Sequence, residues 1–178
     1  VIDADAINLA LFGLRLILAA VMLAHGINHI FGGGKIAGTG RWFASLGMKP
    51  GWLHAWLASI TEIGAGVLLL LGLLTPLACA GVIGVMLVAF ITNHAKNGFF
   101  IFRPGEGYEY VLTLLVVSTC LAMLGPGEWS VDDALLDEPG DLAGWTGLLI
   151  AAVAGYGGAL LLLAVFWRPE KRAEEPAA

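Results

Sequence analysis

Glu62 puts a carboxylate near the middle of residues 52–74, a stretch that is otherwise uncharged when His54 is neutral. A charge at the centre of a bilayer costs about 2.5–3.5 kcal/mol on insertion scales, so it needs a partner or a purpose. The first apolar run, 7–31, offers a partner in Arg15. Entering from opposite sides, the two residues fall within about two helical turns of each other in depth, a gap that a long arginine side chain partly bridges. One reading of an Arg15–Glu62 ion pair is a clamp between the first two spans. Another is a proton-handling or ligand-bonding carboxylate whose charge Arg15 holds. The third is an arginine that snorkels or faces lipid.

Histidines extend the polar set. His25 and His29 are four residues apart and share one face of the first helix, with Arg15 about 40° from His29 around the axis. His54 opens the second span and His94 closes the third, while Tyr108 and Glu109 begin the fourth at a comparable depth. Packed inward, these side chains would form a polar pocket toward one membrane face. Arg15, His25, His29, Glu62 and Tyr108 are the candidate ligand-binding or proton-handling residues. A quinone or other small amphipathic molecule suits such donors and acceptors, and quinone is the one cofactor the residues suggest. Histidines that satisfy helix ends or face headgroups are the bland alternative. Haem would need axial histidines from facing helices, and the chain has neither a CxxCH motif nor a dense Cys/His signature, so no metal site is assigned.

The elements that must position these groups are membrane helices. Of the 178 residues, 58% are hydrophobic and only 13% charged, against about 25% charged in an ordinary soluble domain. Five runs approach the roughly 20 apolar residues of a span: 7–31, 52–74, 76–93, 108–124 and 142–167. They are continuously apolar, which favours helices over barrel strands. The fold class is therefore all-α, a polytopic transmembrane bundle with a four-helix core (1–124), an acidic outer loop (125–141), and an added fifth helix with a short tail (142–178). No basic cluster points to nucleic acid. The first span lacks a basic leader, so a cleaved signal peptide is not expected.

Eight of the nine basic residues fall on one side: Lys35, Arg41, Lys49, Lys96, Arg103, Arg168, Lys171 and Arg172. The positive-inside rule makes that side cytoplasmic, with the amino terminus outside and the carboxyl terminus inside. The outer loop carries Glu128, Asp132, Asp133, Asp137, Glu138 and Asp141. Cys79 and Cys120 sit at similar depth, and packing is favoured over pairing. Paired glycines such as Gly64 and Gly66 allow helices to approach closely. Gly32-Gly33-Gly34 ends a helix and is not a phosphate loop.

Leu14-Arg15, His25-Gly26, Glu62-Ile63-Gly64-Ala65-Gly66 and Leu70-Leu71-Gly72-Leu73-Leu74-Thr75-Pro76 follow one another in an order that resembles the DoxX family of small four-helix membrane proteins. The likeness runs over about residues 10–124. Asn28 and His29 stand where many relatives carry a lysine. The resemblance implies a bacterial inner (plasma) membrane protein associated with redox complexes, and puts Arg15, His25 and Glu62 at the family's polar positions. The expected function is an accessory, non-catalytic subunit of a larger membrane redox complex, with a quinone or lipid in its polar pocket. Its partners would be membrane lipids and other membrane subunits. Alternatives are a purely structural assembly subunit and a small transporter subunit.

Overall fold

The computed structural model describes residues 3–136 and 142–169. Asp137, Glu138 and Asp141 of the acidic loop, and Lys171 and Arg172 of the tail, lie outside the described residues. Helix α1 (Ala4–Phe31) begins where the Asp3 carboxylate accepts hydrogen bonds from the Asp5 and Ala6 amides, at 2.9 and 3.4 Å. It runs 28 residues, about 42 Å at the usual rise, and ends at the three glycines. A short helix that the apolar pattern does not announce follows, α2 (Lys35–Ser45). Residues 32–51 read as a loop in the sequence because α2 has only 11 residues and includes Gly38 and Gly40. It packs across the start of α3 (Gly51–Leu71), where a Cβ on Gly40 would lie 3.3 Å from the Trp52 backbone.

Helix α3 stops at Gly72, which adopts a left-handed conformation (φ +66°), and α4 (Thr75–Asn97) starts three residues later. The last turns of α4 widen into a π-helical stretch over Phe90–His94. Helix α5 (Glu109–Leu124) follows a loop held by Glu109, whose carboxylate accepts from the Ile101 amide at 2.8 Å. A one-turn helix, α6 (Val131–Leu135), lies in the acidic loop, and α7 (Gly144–Phe166) closes the bundle.

Among the described residues there is no strand, only an isolated bridge between Met48 and Trp167. Helices α1, α3, α4 and α7 are long and apolar enough to cross a membrane. The shorter α5 has 16 residues, about 24 Å. The molecule is an integral membrane protein, an all-helical bundle. Its main core joins α1, α3, α4, α5 and α7 through Leu18, Met22, Leu69, Val82, Ile83, Leu121 and Ala151, each almost fully buried. Lipid gives helices little hydrophobic reason to associate, so close packing over small residues must hold them. Gly155 shows this: a Cβ there would lie 2.9 Å from Ile83 Cγ2 and 3.0 Å from the Ala80 carbonyl. Helix α7 is also tied to the α2–α3 connection. Trp167 Nε1 donates to the Leu46 carbonyl at 3.0 Å, and the Arg168 amide donates to the Gly47 carbonyl at 2.8 Å.

Candidate functional site

Gly26 lets α1 and α3 approach beside Glu62. A Cβ at Gly26 would stand 2.7 Å from Ile63 Cγ1, 3.0 Å from the Ser59 carbonyl and 3.1 Å from Glu62 Cβ. Less than one turn beyond Gly26, His29 reaches across, and its Nδ1 lies 3.2 Å from Oε2 of Glu62. That is ion-pair distance, but the groups are not aligned as a hydrogen bond, and neither atom has a hydrogen-bond partner elsewhere. Glu62 is only 2% exposed.

The pair lines a cavity of about 620 Å³ at the end of the bundle that carries Lys35, Arg41, Lys49, Lys96 and Arg103. All four histidines, Thr92, Asn93 and Tyr110 line it too; most of the remaining wall is apolar. His54 is buried, and its Nε2 also lacks a hydrogen-bond partner. Phe43 of α2 stands between the two buried sides of the site, its ring centroid 6.4 Å from each of His29 and His54. The π-helical stretch of α4 widens the backbone where Thr92, Asn93 and His94 face the cavity, a helix irregularity that recurs at functional sites.

Three of the five sequence-derived site residues, His25, His29 and Glu62, meet here. Tyr108 does not line the cavity. It precedes α5 and packs edge-on against Phe90 and Phe99, at 5.4 and 5.5 Å. Two residues on, a turn of about 200°, Tyr110 faces inward instead and stacks on His25 at 6.3 Å. The rotational phase of α5 decides between these tyrosines, and a continuously apolar helix with no polar stripe does not display its phase in the sequence.

Arg15 does not line the cavity and does not pair with Glu62. Its guanidinium donates to the carbonyls of Leu69, at 3.5 Å, and Trp129 at the opposite, acidic end. It is 1% exposed and also lies over the Phe12 ring at 5.5 Å. The expected ion pair fails for a geometric reason. Helix α3 is set against α1 so that Glu62 packs beside Gly26, while Gly72 faces Arg15. Arg15 lies eleven residues before Gly26, about 16 Å back along α1, which puts the two charges at different levels of the bundle. Leu69 lies seven residues beyond Glu62, about 10 Å along the helix.

Asp132 is the carboxylate nearest in role to a partner for Arg15, and sequence reasoning gave it no special place. It is 2% exposed, and its oxygens accept from the Leu74 amide at 2.8 Å and the Thr75 amide at 3.1 Å, capping α4. Gly72 completes this seal, because a Cβ there would run into Arg15 and Ser130. Nearby, Asn8 donates to the Glu128 carboxylate at 2.9 Å and accepts from the Glu128 amide at 3.0 Å. Nothing distinguishes Asp132 from the other loop carboxylates until the loop folds over the end of α3.

The donor set suits a polar headgroup. A buried carboxylate oxygen and a buried imidazole nitrogen, both without hydrogen bonds, can respectively accept from and bond to a ligand, and the apolar wall suits its remainder. Among the described residues, no three His, Cys, Asp or Glu side chains converge as a metal ion requires. His25 and His29 diverge, one exposed against Tyr110 and the other turned to Glu62. Cys79 and Cys120 are both free thiols, the first buried and the second exposed.

No curated protein and no solved structure matches the chain. The family comparison does find a match. Residues 10–95 fit the sequence model of DoxX, a span that runs from α1 through the π-helical stretch of α4 and holds Arg15, His25, His29, His54 and Glu62. Over that region, the chain is similar to the DoxX family.

Proposed function

We propose that this integral membrane protein is an accessory subunit of a larger membrane redox complex, and that its cavity receives the headgroup of a quinone-like molecule. Charge distribution supports an inner-membrane orientation with the basic end, and so the cavity, toward the cytoplasm and the amino terminus outside. The carrying observation is Glu62: a buried carboxylate whose Oε2 has an unaligned imidazole at 3.2 Å and no hydrogen bond, in the wall of an amphipathic cavity. A quinone supplies reversible two-electron, two-proton chemistry when bound. The chain's own part is to hold the headgroup and manage protons. Glu62 accepts a hydrogen bond or proton, His29 beside it shares or relays that proton, and His54 and Tyr110 offer further polar contacts. His29 is 18% exposed, so it links the buried carboxylate to the basic face.

The test is native mass spectrometry of the gently solubilised protein, with lipid extraction and an absorption spectrum on the same sample. The wild type is expected to retain quinone, either co-extracted or added back. Glu62→Gln should insert normally and bind the reduced quinol, whose hydroxyl donates to the carboxylate, about 10- to 100-fold more weakly, the range for losing a hydrogen bond to a charged group. Wild-type protein that takes up no quinone, or a variant that binds it equally well, refutes the assignment.

A further inference from the structure

The cavity does not end at the polar residues. It continues around the inner face of α3 into a slot between α3, α4 and α7 that is lined by apolar and small residues. Glu62 and Gly64, two residues and about 200° apart on α3, both belong to its wall. Along the slot, Ile60 and Gly64 of α3 and Ala154 and Gly158 of α7 line the cavity and are nonetheless exposed. A residue that is both cavity wall and exposed marks an opening. These positions are well inside helices that cross the membrane, so the opening faces acyl chains. The opening is also bare of side chain. A Cβ added at Gly64 or at Gly158 would meet nothing within 4 Å.

We infer that this slot is the channel for the apolar tail of the cavity's ligand, which enters sideways from the bilayer between α3 and α7. The inference rests on the quinone-like headgroup proposed above and adds the ligand's shape and route. One molecule that meets the unpartnered atoms of Glu62 and His54 and also fills the slot has to be elongated, with a polar ring at one end and a prenyl or acyl chain at the other. Continuity of the slot with those buried, unbonded polar atoms separates it from an ordinary lipid-facing groove. Lipid tails are as apolar as the slot, so the tail gains little by moving from bilayer to protein. The slot therefore acts by shape, admitting a chain where a bulkier wall would not.

The experiment compares a tail-less dimethoxy-methyl-benzoquinone with its decyl derivative, both reduced to the quinol so that a hydroxyl can donate to Glu62, each titrated into protein in phosphatidylcholine nanodiscs, with affinity expressed per mole fraction in the bilayer. Wild-type protein should bind both within about threefold of each other, as equal apolarity of slot and lipid requires. Gly64→Leu and Gly158→Leu place side chains in open space, so the fold tolerates them. Each should weaken the decyl compound at least tenfold and leave the tail-less one within twofold. If the variants affect both probes equally or neither, the tail channel is overturned while headgroup binding stands. That pattern is also expected if a phospholipid chain fills the slot or the ligand enters between α1 and α5. If neither probe binds wild-type protein, the headgroup site fails and the channel with it.

Discussion

Replacing Arg15 tests which carboxylate it serves. The Arg15 guanidinium is 1% exposed and bonded to two backbone carbonyls at the acidic end. Arg15→Met removes two hydrogen bonds from a charged donor, each worth about 1.5–3 kcal/mol, but also removes a buried charge that is expensive to desolvate. Asp132 keeps its two amide donors in that variant. The expected loss is therefore about 2–4 kcal/mol. Asp132→Ala takes away the cap of α4, orphans the Leu74 and Thr75 amides, and leaves Arg15 without the nearby negative charge. About 3–5 kcal/mol is expected, the range for breaking a buried charged network. Because both variants damage one network, the double variant should cost at least about 1 kcal/mol less than their sum. Arg15 and Glu62 should instead be additive within about 0.5 kcal/mol, since the guanidinium is bonded some 10 Å from the level of Glu62. The assay is helix loss on unfolding in mixed detergent micelles, followed by circular dichroism, with both cycles measured together. A coupling above about 1 kcal/mol between Arg15 and Glu62, with none between Arg15 and Asp132, would refute this placement of the charges.

Two further variants, each with a control substitution, probe the cavity. Gly26→Ala should lower stability by about 1 kcal/mol: overpacking costs about 1–3 kcal/mol and helix propensity returns roughly 1. It should weaken quinone binding as α1 moves away from Glu62, whereas Gly13→Ala, whose Cβ would meet nothing within 4 Å, should be neutral or stabilising by the same unfolding assay. Tyr110→Phe should weaken quinone binding about 2- to 10-fold, the value of one neutral hydrogen bond, and Tyr108→Phe should leave it within twofold in the same titration.

The spans were legible because continuous apolar runs of this length have few other uses. Glu62 was legible for the converse reason, since a lone carboxylate in such a run has to be accounted for. His25 and His29 followed from helical spacing, which puts them on the face that meets α3 and α5. What spacing does not convey is register. Depths counted from the ends of the apolar runs bring Arg15 and Glu62 together, whereas α3 is set against α1 so that Glu62 meets Gly26 and Gly72 meets Arg15. Tyr108 and Tyr110 differ by a rotation that only the packing of α5 resolves. Helix α2 is too short and glycine-containing to stand out, yet it supplies Trp42 and Phe43 to the cavity wall.

The two buried carboxylates provide an internal comparison. Asp132 and Glu62 are each 2% exposed, so each has lost its hydration and needs replacement partners. Asp132 has them: two backbone amides hold its oxygens, and Arg15 faces it from the same end. That is how this fold treats a carboxylate whose work is to hold helices together. Glu62 has an unaligned imidazole at 3.2 Å, an oxygen without a hydrogen bond, and a cavity in front of it. A purely structural carboxylate at that depth would be expected to be closed off as Asp132 is, since an unmet acceptor costs free energy and contributes no packing. The missing partner is therefore sought in the cavity, in a molecule able to donate a hydrogen bond there.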